Sequence, residues 1–443
     1  MVGETNLIAD FIDLTLKPVL HSVSAPVFDV TLVTVSVFSI FFYIIALDGL
    51  FRHRATTRTF PKLRLLPRVT IQIPTYNEPV AIRCAEKCLR MDYPKGRFNI
   101  IIGDDSDKSD ISRMIDGFAR KHPGKVSVTR RGNNEGFKAG NLNYMLKHGK
   151  NNEIIVLFDS DFVPPRNFLR KIVQPFSDED VAIVQARWQF LNPAQNMIST
   201  LASSILYMYH HLVMTAFNSN GISLLCGSAE AVRKSALIKQ GGWEAGSLTE
   251  DTEYSLRSLK NGYKSVYLHG LEAKGEVPFT IRGFKRQQMR WAYGTTSAYM
   301  KHSRALFSSK LFSFRQKLFL SFVLLGYVVS PLLAILFISG TVSFFTNPPA
   351  PINVMAFTLD LGKNMLLISG FFFAGLVAMK KENRLSAVPK LFISSLTAGV
   401  YTSFYIAKAF FKAILKRPMT WYLIQKKGNN AFFSESKASV SYK

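Results

Sequence analysis

Apolar residues run almost unbroken over 30–47, with no charge before Asp48. That approaches the ~20 apolar residues a membrane helix requires, so the pattern predicts one span near the start. From about Arg68 to about Ser309 the pattern changes. Short β-branched runs at 69–73, 98–103, 125–129, 154–158 and 181–185 alternate with helix-like stretches. This alternation predicts an α/β domain on a Rossmann-like, doubly wound sheet. Residues 194–217 are also apolar, but Tyr207, His210 and His211 interrupt them inside the α/β region, which predicts an amphipathic or buried helix. After Arg315 and Lys317 come three more apolar segments, 318–345, about 355–379, and 391–415. The first two read as spans. The third contains Lys408 and Lys412 and has Lys380-Lys381 before it and Lys416-Arg417 after it, so it is expected to re-enter or to lie in the interface. The expected organisation is an N-terminal segment with a span (1–51), the α/β domain (52–309), interfacial and transmembrane helices (310–415) and a basic tail (416–443) whose end, 429–443, looks frayed.

Charge fixes the expected orientation. The segment before the first span is mildly acidic (Glu4, Asp10, Asp13, Asp29), whereas Arg52, Arg54, Arg58, Lys62, Arg64 and Arg68 follow it. By the positive-inside rule the α/β domain faces the cytosol, which predicts a multi-pass protein of the cell membrane. The long acidic lead excludes an ordinary signal peptide. At 443 residues, 48% of them hydrophobic, the chain exceeds one soluble domain. Its 55 Lys+Arg against 30 Asp+Glu give +25, which calls for an anionic partner. These cations concentrate beside the apolar segments, where lipid headgroups and topology account for them, so no nucleic-acid partner is expected. Cys84, Cys88 and Cys226 are too few for a disulfide framework, and Cys84 and Cys88 read as packing residues. A phosphate loop is excluded at 117–125, where the spacing is wrong and Val126 replaces Ser or Thr.

Ligands of doubly wound sheets bind past the carboxyl ends of the strands, so the residues there carry the candidate chemistry. The first run ends in Pro74-Thr75-Tyr76-Asn77-Glu78-Pro79, suited to stacking on a base and binding a ribose; a turn capped by Asn77 explains the same residues equally well. The second ends in Asp104-Asp105-Ser106-Asp107 and the fourth in Asp159-Ser160-Asp161. Such acidic clusters suit a hard cation, Mg2+ or Mn2+, bridging a diphosphate. Asp178 and Asp180 repeat the spacing in a polar loop and read as solvated. Lys138 opens a helix after the loop 132–136, as a phosphate contact or merely a surface residue. In Thr249-Glu250-Asp251-Thr252-Glu253, Thr249 can cap a helix whose N-terminal dipole the acids favour, or Asp251 can serve as a general base. Gln287, Arg290 and Trp291 share one helical face, either a guanidinium for a diphosphate beside an aromatic plate for a sugar or an interfacial Trp with a basic flank.

In order, Asp104-Asp105, Asp159-Ser160-Asp161, Thr249-Glu250-Asp251 and Gln287-x-x-Arg290-Trp291 form a D, D-x-D, T-E-D, Q-x-x-R-W series over about Arg68 to Gly294. Lys138-Ala-Gly-Asn and Cys226-Gly-Ser-Ala add to it. The chain thereby resembles the membrane-embedded inverting family-2 glycosyltransferases, the group of cellulose, hyaluronan, chitin and mannan synthases. The resemblance implies a GT-A fold with one transmembrane helix before it and about three after, and a hexosyl transfer from a nucleotide-diphosphate sugar, with uridine preferred over guanosine. It implies that Thr75, Tyr76, Glu78, Asp104, Asp105 and Lys138 bind the donor, that Asp159 and Asp161 face the diphosphate and metal, and that Gln287 and Arg290 neutralise the leaving group. Asp251 would be the base, with Cys226, Gly227, Glu250 and Trp291 toward the glycan or lipid acceptor. The segment 421–428 loosely resembles the cytosolic gating segment of cellulose synthases. Two other readings remain at this point: a glycolipid synthase that adds one sugar, and a transporter whose nucleotide-sugar domain is not catalytic. Oligomeric state is not legible.

Overall fold

The computed structural model describes residues 9, 11–51, 60–149, 152–347, 353–420, 424–426 and 428. The flank residues Arg52, Arg54 and Arg58, the tail 429–443, and Trp421 to Leu423 with Lys427 lie outside the described residues.

Seven strands form one sheet: β1 Val69–Thr75, β2 Phe98–Asp104, β3 Val126–Thr129, β4 Ile154–Leu157, β5 Val181–Phe190, β6 Glu230–Arg233 and β7 Lys264–Gly275. Their order is β3-β2-β1-β4-β6-β5-β7. β1 runs parallel to β2 and β4, β2 to β3, and β5 to β7, whereas β6 is antiparallel to both neighbours. The order reverses between β2-β1 and β1-β4, and a crevice opens there at the strand ends. β1, β2 and β4 are buried throughout, as strands covered on both faces must be. Their few polar side chains satisfy one another: Asn152 Nδ2 donates to Thr70 Oγ1 at 2.9 Å and to Asn99 Oδ1 at 2.6 Å.

The five runs read from the sequence all form strands, with shifted ends. β6 and β7 are additions. β6 has four residues with a charge at each end, and β7 is polar and broken by a register shift, so neither carries a hydrophobic signature.

The helices that frame the site and the membrane side are α1 Lys17–Phe51, α2 Phe137–His148, α3 Met197–Met208, α4 Glu250–Lys260, α5 Ile281–Ser308, α6 Phe314–Leu324, α7 Val329–Thr346, α8 Val354–Ile368, α9 Gly370–Lys381, α10 Val388–Ser394 and α11 Val400–Ile414. α3 continues through a π turn, Tyr209–Val213, to Met214–Ser219, with Tyr207, His210 and His211 buried. It is the buried helix expected there.

Two helices among the described residues are long and apolar enough to cross a membrane, Ile12–Phe51 and Gly326–Thr346, and the bent pair α8–α9 would make a third. The stretch read as one span from 318 to 345 breaks after Leu324, where Gly326–Val328 turns as a 3-10 helix before α7. The next bends by 61° at Ser369. There Gly370 N–H donates to Ser39 Oγ at 2.7 Å and Tyr43 Oη donates to Leu366 O at 3.0 Å, so α1 satisfies backbone groups that lipid could not. α10 and α11, the segment with the lysines, are not among the candidate spans. α11 packs along α5, with Lys285 Nζ 4.0 Å from the Tyr405 ring centroid.

One apolar cluster runs from Phe42, Ile45 and Ala46 of α1 through Ile71 and Ile100 of the sheet to Met379 and Leu391, and a smaller one fills the face under α2. Cys84 and Cys88 are buried in the first, as packing residues.

Candidate active site

A cavity of about 460 Å³ opens at the ends of β1, β2 and β4. It is lined by Thr75, Tyr76, Glu78, Asp105, Lys138, Asp159, Asp161, Cys226, Gly227, Glu250, Asp251, Gln287, Arg290 and Trp291. Motif residues as far apart in the sequence as Asp105 and Trp291 thus meet in one place. Asp104 does not line it among the described residues. Its buried carboxylate accepts from Arg130 Nε at 2.8 Å, Ser112 Oγ at 2.7 Å and Ser106 N at 3.1 Å, holding the loop after β2.

The β1 turn is built around Asn77, at φ +56. Its Nδ2 donates to Asp107 Oδ1 at 2.6 Å and its Oδ1 accepts from Lys108 N, so it ties two strand ends together instead of capping a helix. Tyr76 Oη donates to Asp107 Oδ2 at 3.1 Å. Glu78 is buried and accepts from Ser160 Oγ. Burial, opposed by Lys426 and Ser160, pushes its carboxyl up to about 7.

Asp105 is paired with Arg131, whose Nη2 lies at 2.6 Å. Burial pushes Asp105 up against that pairing. Lys138 joins the opposite walls: its Nζ is 2.8 Å from Asp159 Oδ1, 3.3 Å from Glu250 Oε1 and 2.6 Å from Gly227 O. Burial alone would lower its affinity for a proton, but Asp159 and Glu250 more than reverse this and raise it. Asp159 is held below the usual carboxylate range, the cost of burial being outweighed by Lys138 and Lys426. Asp161 accepts from Glu276 N and from Lys426 Nζ, both at 2.7 Å.

Asp251 is the second residue of α4. Burial, reinforced by the neighbouring Glu250, pushes it up to about 7, against Lys138 and Arg290. Thr249 stands at the cap position of α4 without a side-chain cap bond. Glu253 belongs elsewhere, paired with Arg257 at 2.7 Å and His302 at 3.0 Å. On α5, Gln287 Oε1 and Arg290 Nε are buried without a hydrogen-bond partner among the described residues. Such orphaned polar atoms are costly to a fold and mark places where a ligand completes the bonding.

Asp159 and Asp161 are the cavity carboxylates that could hold a cation. Among the described residues no three His, Cys, Asp or Glu side chains are grouped to hold a metal ion. Two hard carboxylates fit Mg2+ or Mn2+ that completes its shell with substrate phosphate and water. Asp178 and Asp180 lie outside the cavity, paired with Lys264 at 2.9 and 3.0 Å.

A model of the family described as Glycosyltransferase like family 2 matches residues 67–294, just over half of the chain and the span that carries all four motifs. The chain belongs to this family. A probable glucomannan 4-beta-mannosyltransferase 7 of Oryza sativa subsp. japonica is 31% identical to this family-2 chain over 280 residues, 60% of the chain and 48% of the relative. Glucomannan 4-beta-mannosyltransferase 1 of the same plant is 33% identical over 245 residues, 53% and 47% respectively. The chain spans about half the length of the curated relatives it matches. A solved structure, the mannosyltransferase PcManGT from Pyrobaculum calidifontis in complex with GDP-Man and Mn2+, superposes with a TM-score of 0.62 at 16% identity, covering 90% of this chain and 100% of that one. This likeness supports the GT-A fold.

Several residues of this glycosyltransferase site were not read from the sequence. Arg131 is the second residue after β3, and its place just past a strand end was a usable signal. Lys426 had no local signal, because its partner Asp161 is 265 residues away. Ile424 and Lys426, from the segment 421–428, line the cavity.

Proposed function

We propose that this protein is a membrane-bound inverting glycosyltransferase that moves mannose from GDP-mannose onto a growing β-linked glycan. Guanosine replaces the uridine preferred from the sequence, because PcManGT binds GDP-Man and the plant relatives are named as mannosyltransferases. The observation that carries the reading is Arg290 Nε, buried without a partner among the described residues, in the same cavity as Asp159 and Asp251, on both of which its charge acts. An empty guanidinium bond beside a near-neutral carboxyl suits a reaction in which one group gains negative charge while another loses a proton.

In this reading Tyr76, Thr75, Glu78 and Asp105 form the nucleoside end. Asp159 and Asp161 would hold Mg2+ or Mn2+ on the diphosphate, where the ion would screen its charge. Asp251 takes the proton of the acceptor hydroxyl, whose oxygen attacks the anomeric carbon as the bond to the diphosphate breaks on the opposite side. One in-line displacement turns an α donor into a β product without a covalent enzyme intermediate. Arg290, Gln287 and Lys138 stabilise the departing diphosphate. Trp291 forms the plate on which the acceptor sugar stacks, toward α6 and the membrane helices. The α/β domain would face the cytosol, with the protein in the cell membrane.

The test is to incubate the full chain in lipid nanodiscs with labelled GDP-mannose and a panel of labelled UDP-sugars, with Mn2+ or Mg2+, and to size the product. Label from GDP-mannose in a polymer is expected. A single lipid-extractable mannoside would replace polymerisation with glycolipid synthesis, and no sugar transfer from any donor would overturn the reading.

A further inference from the structure

Glu230 begins β6, has no solvent exposure, and does not line the cavity. Among the described residues it makes no ion pair, although the Lys138 charge acts on it, which for a fully buried carboxyl is unusual. Its proton affinity is raised, first by burial and then by Asp251. What it does hold is backbone. Glu230 Oε2 accepts from Gly227 N at 2.8 Å and Cys226 N at 3.2 Å.

Those amides belong to a turn that needs holding. Gly227 is at φ +87, and the nearby Ala229, with a β-carbon, is at φ +51. A left-handed residue other than glycine is strained and persists only where the surroundings fix it. Gln185 and Trp188 fix the far side: Gln185 Nε2 and Trp188 Nε1 each donate to Ser228 O at 2.9 Å, and Gln185 Oε1 takes Cys226 N at 2.7 Å. On the near side Glu230 is the one partner of Gly227 N among the described residues. That glycine forms the cavity wall where the chemistry is proposed. A β-carbon on it would come within 3.2 Å of Asp251 Oδ2 and 3.5 Å of Lys138 Nζ, and its carbonyl accepts from Lys138.

We propose that Glu230 is a positioning residue for sugar transfer: by fixing the Cys226–Gly227 peptides it sets the wall against which Asp251 and Lys138 are placed. The inference rests on Asp251 being the base. A carboxyl used only as a double acceptor is replaceable by an amide, because glutamine keeps the accepting oxygen.

The experiment compares wild type, Glu230→Gln and Glu230→Leu as full chains in nanodiscs. Hydrogen–deuterium exchange over 224–231 reads the turn without turnover, while kcat, donor KM and the pH–rate profile read its consequence. Glu230→Gln should keep the amides protected and kcat within about threefold. Glu230→Leu should lose protection and about 100-fold in kcat, the usual scale for a misplacement near 1 Å, with little change in donor KM and a displaced acid limb. Lost protection with wild-type kcat would overturn the proposal, and so would a Glu230→Gln variant as impaired as Glu230→Leu, which would assign the role to charge. If the leucine variant does not fold, Glu230→Asp decides: it withdraws the acceptor by one methylene, and an unchanged kcat and acid limb would overturn the proposal. A wild type that transfers no sugar defeats the proposed function, while the exchange data still judge the turn.

Discussion

Replacing Asp251 with asparagine should abolish turnover and stabilise the protein, and both effects depend on pH. Asp251 is held at about 7 against an ordinary 3.8, because it is buried beside Glu250. As the proposed base it must be ionised, so wild-type kcat should fall on an acid limb centred near 7, by about 100-fold between pH 8 and pH 5. The asparagine amide cannot accept the proton, and a loss of about 10²–10⁴ is expected with GDP binding retained. The sign for stability follows from the raised value. Below the unfolded value the carboxyl is protonated in both states and contributes nothing. As pH rises toward 7 the unfolded chain ionises first, the folded state becomes disfavoured, and the penalty is complete above 7. A displacement of that size corresponds to at most about 4 kcal/mol. Solvent in the open cavity reduces this to about 1 kcal/mol, equivalent to a thermal shift of about 1 °C in a chain of this length. Differential scanning fluorimetry of both proteins at pH 4.5 and pH 8.5 tests it: the variant should melt higher at pH 8.5, with the gap closing at the acid end. A variant with turnover within tenfold of wild type, or one that melts no higher at pH 8.5, would refute the base assignment.

Three further outcomes are expected. Lys426→Met removes the ammonium that occupies Asp161 and should lower the Mn2+ concentration for half-maximal transfer several-fold in a metal titration; a higher requirement would make Lys426 part of donor binding. Gly294→Ala places a β-carbon 2.4 Å from Thr249 Cγ2, pressing α5 against the start of α4, and should cost about 1–3 kcal/mol by overpacking. Adding Thr249→Ala should restore part of the loss in a double-mutant cycle of thermal stability and kcat, and additive losses would contradict the contact. Glu382→Ala breaks the cluster with Arg187 at 2.9 Å and His211 at 2.5 Å and should destabilise the chain by about 3 kcal/mol. Burial opposes ionisation of Glu382, but bonds from His211 and Gln189 prevail and take it to about 2. Its contribution is complete above the ordinary 4.5, so the melting gap should be constant from pH 6 to 9, and a gap vanishing within that window would place the stabilisation elsewhere.

What was legible in the sequence follows the physics of each part. β1, β2 and β4 are buried on both faces, so they must be apolar runs and were seen as such. β6 was invisible because it is short and its first residue, Glu230, is tolerated inside only through amides of a turn. The membrane segments were visible as composition, but Gly326 and Ser369 break them, and an apolar run does not reveal where its helix bends. The carboxylates of the site were legible because a doubly wound sheet fixes where strand ends converge. Their partners were not: Arg131 reaches Asp105 across 26 residues and Lys426 reaches Asp161 across 265, and such pairings exist only after folding. Asp104 shows the converse, a motif residue whose carboxylate is fully used by Arg130, Ser112 and Ser106.

The apolar cluster that joins Phe42, Ile45 and Ala46 to the sheet has a practical corollary. The catalytic half cannot be cut free at the bilayer surface as an ordinary water-soluble fragment. Removing α1 would uncover the side of Leu212 and Phe373 that now packs on it and would leave the break at Ser369 without its Ser39 and Tyr43 partners. Preparation, assay and inhibitor screening of this protein therefore belong in a lipid or detergent environment that keeps the whole membrane bundle together.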